Sequence, residues 1–157
     1  MNESARTGKG NRCHCTALRK ASRRITQLYD LALAPSGLKV TQRAILARIA
    51  GSEPMSVGAL AEGLVMDAGG LAHTLKPLVR DGFVTIAPDP QDRRNRLVRL
   101  TSAGKAKLRE SETLWLTAQR GFEKELGKAR SEALHEAVGL LIADDFADRF
   151  EAAVARG

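Results

Sequence analysis

The chain has 157 residues, enough for one domain with an appended helical arm and a core of real size. Its formal net charge is +7 and unevenly spread, with 20 Lys and Arg against 10 Asp and Glu in residues 1–120 but 5 against 8 in residues 121–157, so the basic body predicts an anionic partner and the acidic end a different role. No apolar run approaches the ~20 residues that cross a bilayer, and residues 1–12 lack the hydrophobic segment of a secretory signal, so a cytoplasmic chain without a membrane role is expected.

Residues 1–12 are polar and cationic and read as a flexible basic arm. From Cys13 to Ala34 a helix is predicted, with Leu18, Ala21, Ile25, Leu28 and Ala32 forming one stripe, and Pro35-Ser36-Gly37 ends it. Thr41 then caps a helix over Gln42–Ala50, whose Ile45, Leu46 and Ile49 are apolar, before the turn Gly51-Ser52-Glu53-Pro54.

Ser56 is an N-cap for a short helix in which Val57, Leu60, Ala61 and Leu64 share a face. Asp67 caps a second, with Leu71, Leu75, Leu78 and Val79 at the same spacing, and Asp81-Gly82 supplies its left-handed stop. Two short amphipathic helices joined by so few residues make a helix-turn-helix. Ala68, Gly69, Ala72, His73, Lys76 and Arg80 then face outward. Small residues at the start admit a close surface, and His73 and Lys76 offer donors, as the floor of a major groove requires; the alternative is a plain solvated face.

Past Gly82 the period changes. Phe83–Ala87 and Leu97–Thr101 read as strands, and Pro88–Arg96 between them is too polar and proline-rich to be one. A hairpin tip bearing Arg93, Arg94 and Arg96 can follow a phosphate backbone and insert a guanidinium into a narrow minor groove, with Asp92 holding an arginine in place; the alternative is a solvated loop.

Thr101-Ser102 caps a long helix with Leu108, Trp115, Ala118, Phe122 and Leu126 on one face, and Gly127 stops it. Ser131 opens a last helix that is apolar on two sides, Leu134, Val138 and Leu141 on one and Ala133, Ala137, Leu140, Ala147 and Phe150 on the other. Both sides need burial, which predicts a dimer built from the first and last helices; burial within one subunit is the alternative. The fold class is mostly α with a small β-hairpin wing (α+β). A winged helix-turn-helix at 38–101 lies between dimerisation helices at 13–34 and 102–157.

This order of elements, together with Asp92-Arg93-Arg94-Asn95-Arg96-Leu97-Val98-Arg99-Leu100-Thr101-Ser102-Ala103-Gly104, resembles the MarR family of bacterial transcription regulators. The wing pattern Asp92-x-Arg94 and the Leu100-Thr101-x-x-Gly104 element are its most specific parts. Leu38–Gln42 and Leu75–Gly82 also match. The resemblance implies a homodimer with interlaced terminal helices, reading a pseudo-palindrome in double-stranded DNA. It implies release by a small aromatic or phenolic effector or by an oxidised cysteine. By position it makes Arg94 the minor-groove arginine, Asp92 its support, and the face from Ala68 to Lys76 the major-groove reader. The chain departs from the pattern at Ala68-Gly69-Gly70, where many relatives carry Arg, Ser or Thr, which leaves base readout to His73, Thr74 and Lys76. Pro77, lacking the N–H for His73, is a candidate kink.

No enzyme is expected. His14, His73 and His135 are scattered, and no phosphate loop or nucleophile elbow is present. Cys13-His14-Cys15 cannot close a tetrahedral metal site alone, so neither metal nor other cofactor is expected. Some members of the family sense oxidants through a cysteine near the start of the first helix, where Cys13 and Cys15 lie beside Arg12 and Arg19; ordinary unreactive thiols are the alternative. Six aromatic residues are too few for a binder that stacks single-stranded bases. The function expected is a dimeric DNA-binding regulator, a repressor by the family's habit. The alternatives are a sequence-tolerant architectural DNA binder and a helical interaction protein that does not bind DNA.

Overall fold

The computed structural model describes residues 13–156, so the arm expected at 1–12 lies outside the described residues. Helix α1 (His14–Leu33) is capped by Cys13 and gives way to a 3-10 turn, Ala34–Ser36, closed by Gly37 at φ 73°. Helix α2 (Val40–Gly51) begins earlier than expected. Its N-cap is Lys39, whose N–H donates to Gln42 Oε1 at 2.9 Å, and Thr41 lies inside the first turn. The Gln42 side chain reaches back to the N-cap N–H, as the third residue of a capping box does, and Arg43 N donates to Lys39 O at 2.9 Å.

Strand β1 (Met55–Ser56) leads into α3 (Val57–Gly63), and α4 (Ala68–Arg80) follows. Both predicted caps form: Ser56 Oγ accepts from Ala59 N at 3.0 Å and Asp67 Oδ1 from Gly70 N at 2.8 Å. Helix α4 runs through Pro77 and ends ahead of Gly82 at φ 75°. Strands β2 (Val84–Pro88) and β3 (Arg96–Leu100) pair antiparallel, with Val84 opposite Leu100 and Pro88 opposite Arg96. The sheet is three-stranded in the order β1-β3-β2, with Met55 opposite Val98, where sequence had predicted only a hairpin.

One core gathers the lobe. Ile45, Leu46 and Ile49 of α2, Leu60 of α3, Leu71, Leu75 and Leu78 of α4, and Val84, Val98 and Leu100 of the sheet are all buried in it. Val79, predicted on this apolar face, is exposed instead. It lies about 100° around the axis from Leu78 and turns toward Ala72, so the inner stripe is narrower than its apolar letters suggested.

Helix α5 (Ser102–Leu126) carries the chain away from the wing, with Thr101 Oγ1 accepting from Gly104 N at 3.0 Å. It runs antiparallel to α1, and the Tyr29 hydroxyl donates to Gln119 Oε1 between them. Gly127, at φ 86°, ends it as predicted. The last segment differs from expectation in two ways. Helix α6 (Lys128–Ile142) starts directly after Gly127 with Ser131 in its first turns, and an extended Ala143 separates it from α7 (Asp144–Val154). Leu134, Leu140, Leu141, Ile142 and Phe150 are all exposed on the single chain. No described helix is long and apolar enough to cross a membrane.

Candidate nucleic-acid interface

Because Leu71, Leu75 and Leu78 anchor α4 from beneath, Ala68, Gly69, Ala72, His73, Lys76 and Arg80 are turned outward, and all are exposed. Thr74 sits apart from them. It is half-buried, and its hydroxyl donates to Gly70 O at 3.0 Å, so that donor is already engaged within the helix. A Cβ on Gly69 or Gly70 would stand 3.2 Å from the carboxylate of Asp67, which a small rotation of that exposed side chain relieves, so the helix start does not itself demand glycine. Arg80 is held by Asp81, Nε to Oδ1 2.8 Å, a contact that keeps the Asp81 carboxyl below the usual carboxylate range.

The wing tip is closed by backbone and side-chain hydrogen bonds. Asp89 N donates to Asn95 O and Asn95 N to Asp92 O, each at 2.9 Å. Asp92 was expected to hold an arginine side chain, but its Oδ1 accepts from the backbone N–H of Arg94 at 3.0 Å and its Oδ2 from the Asn95 amide at 3.4 Å. Arg94 is thus fixed by its main chain while its guanidinium extends from an ordered turn. The ion pairs among the described residues include none of Arg93, Arg94 and Arg96, all of which are exposed. Arg96 belongs to β3 rather than to the tip, paired with Pro88 at the base of the turn.

The wing is tied to the rest at its root. Thr101 Oγ1 donates to Gly82 O at 2.6 Å and Thr101 N to Phe83 O at 3.0 Å. Gly104 packs on the same carbonyl so closely that an added Cβ would lie 2.0 Å from Phe83 O. The end of α4, the root of the wing and the start of α5 are therefore joined through the Gly82 and Phe83 carbonyls. Glu53 adds a second tie: it accepts from Leu100 N at 2.8 Å and pairs with Lys105 at 2.9 Å, and the Lys105 contact foremost lowers its carboxyl below the ordinary range.

Sequence reasoning missed a third tie. Arg43 of α2 is 7% exposed, and a charge so buried needs partners. Its guanidinium pairs with Glu112 of α5 and lies over the Trp115 ring at 4.3 Å. The only signal was a charge set beside an apolar stripe. At the other end, Cys13 and Cys15 are exposed free thiols. Cys13 Sγ accepts from Thr16 N at 3.4 Å, and hydrogen bonds from Thr16 hold its thiol below the ordinary cysteine value.

Comparison with known proteins adds relatives. A profile described as the MarR family matches residues 36–95. The transcriptional activatory protein BadR of Rhodopseudomonas palustris is 38% identical over 79 residues, 47% of this chain; the match spans under half of that relative, 44% of its length. Among solved structures, the M. tuberculosis transcriptional regulator MosR in complex with DNA is 31% identical, with 81% of this chain and 95% of that one superposed at a TM-score of 0.70. A probable transcriptional regulator from Pseudomonas aeruginosa is 28% identical, covering 83% and 97%, at a TM-score of 0.73.

Proposed function

Since the chain belongs to the MarR family of transcription regulators, we propose that it binds double-stranded DNA as a homodimer, each lobe laying α4 in a major groove and its wing arginine in the adjacent minor groove. The observation that carries this reading is the arrangement of the interface. An outward face free of acidic side chains over Ala68–Lys76 stands beside Arg94, whose backbone is fixed by Asp92 and whose guanidinium has no partner among the described residues. Two such lobes related by a two-fold axis read a pseudo-palindrome with half-sites about one helical turn apart. MosR is a regulator solved on DNA, which supports the same mode here.

The family's habit is repression in the cytoplasm, whereas BadR is named an activator, so the sign of regulation follows from where the operator lies relative to the promoter. Release belongs either to a small aromatic or phenolic ligand or to oxidation of Cys13 or Cys15; the exposed, hydrogen-bonded thiol of Cys13 supports the latter. The deciding experiment incubates the purified chain with fragments of its own genome at moderate salt and sequences what it retains. Enrichment of a pseudo-palindrome is the expected result. Unselective retention would favour an architectural binder, and no retention would favour an interaction protein, for which the exposed apolar faces of α6 and α7 are the supporting observation.

A further inference from the structure

Arg43 is a charge that the proposed DNA interface leaves unused. It is buried on α2, and its Nε has no hydrogen-bond partner. A guanidinium placed there gives up its hydration, and what replaces the water is the Glu112 carboxylate and the Trp115 ring. Apolar residues of similar volume often stabilise a fold as well as such a pair does, so stability alone does not account for it.

Its place in the fold supplies an account. Ser111 is the last buried residue of α5, with its hydroxyl donating to Leu108 O at 2.7 Å; past it the helix is exposed or half-buried as it leaves the lobe and packs on α1. Glu112 and Trp115 follow at once, so Arg43 grips α5 at the point of departure. Two further bonds cross the same seam, from Val40 N to Asp30 Oδ1 of α1 at 2.7 Å and from Lys107 Nζ to Ser36 O at 3.2 Å. Each is a single hydrogen bond and permits rotation about itself. The guanidinium differs, because a plane with a ring on its face and a carboxylate at one nitrogen is fixed in orientation as well as in distance.

We propose that Arg43 is a positioning residue for DNA binding: held between Glu112 and Trp115, it sets the angle of the lobe on α5 and with it the separation at which two lobes meet a duplex. The inference rests on the homodimer reading and concerns how each lobe is held, not how the copies join. One base pair more between half-sites moves the second by about 3.4 Å and turns it by about 35°. A lobe fixed in angle rejects that displacement, whereas a lobe that rocks on the seam follows it.

The test takes the pseudo-palindrome retained from genomic fragments, lengthens or shortens its centre by one and by two base pairs, and adds a duplex that keeps a single half-site. The unmodified chain should prefer the native spacing by about fivefold or more. Two variants are compared with it: Arg43→Met, which leaves the exposed Glu112 to water, and Arg43→Met/Glu112→Leu, which removes both charges. Both should keep their helix content by circular dichroism and bind the single half-site as the unmodified chain does, yet lose the preference among spacings. Variants that keep the preference would overturn the positioning role. So would an equal loss of affinity on the half-site and on every spacing, which marks a residue that only stabilises the lobe. An unmodified chain indifferent to spacing would instead remove the two-lobe reading on which the role depends.

Discussion

At the scale of single residues, the wing turns on how Asp92 treats Arg94. Holding the backbone rather than the guanidinium leaves the whole cation for DNA and removes the main chain's share of the ordering cost. Arg94→Ala should therefore weaken binding to the recovered operator by roughly 1–3 kcal/mol, and an unchanged affinity would remove the wing from the interface. Gly104 acts differently. Its missing Cβ would collide with a main-chain carbonyl that cannot rotate away, so Gly104→Ala should lower stability by about 1–3 kcal/mol, read as a lower melting temperature. Both residues were visible in the sequence as parts of a motif, but the reason for Gly104 was not, because Phe83 meets it only after the hairpin has folded. Val65 left no signal at all. It adopts φ 51° in the turn between α3 and α4, a conformation expected of glycine or asparagine, and it is fixed there by backbone bonds from Val65 N to Glu62 O and Met66 N to Ala61 O.

At the scale of elements, caps and stops at Ser56, Asp67, Gly82, Thr101 and Gly127 were legible because each is a contact across three or four residues. Strand β1 was not. Two residues carry no period of their own, and Met55-Ser56 is extended because β3 offers Val98 and Leu97 to pair with. The division of α6 from α7 at Ala143 was equally hidden, since neither glycine nor proline marks it. Glu53 joins β1's loop to β3 and α5, and its titration tests that joint. Its carboxyl is held below the usual value in the folded chain, so the contact adds stability above the unfolded value of about 4.3 and loses it as pH falls through the folded one. Glu53→Gln should melt lower than the unmodified chain at pH 7, and the gap should close as the pH drops below about 4; a gap independent of pH would put the stabilisation elsewhere than in the charge. At the start of α1, Cys13 is both cap and exposed thiol, so oxidising it removes an acceptor from the first turn. If release proceeds through it, a hydroperoxide should abolish DNA binding by the native chain and spare Cys13→Ser/Cys15→Ser, whereas equal sensitivity of the two would sink the redox route.

At the scale of the whole molecule, charge is sorted by role: the wing arginines have no ion pair among the described residues, Arg43 and Lys105 are ion-paired between lobe and arm, and the first half of α1 is basic where α7 is acidic. Salt separates these roles. Contacts to phosphate release condensed counterions, so log affinity for duplex should fall linearly with log salt, and Arg93→Ala should reduce the slope by about 1 for each lobe that loses a phosphate contact. A slope near zero is incompatible with the interface proposed. Salt also screens charged contacts between subunits, and the lever there is protein concentration rather than operator sequence. Well above the dimer dissociation constant the plot should be straight. Near that constant it should steepen at high salt, as dimers separate and each lobe is left to bind half a site. Curvature that does not change with protein concentration would locate the second salt dependence in the DNA interface itself.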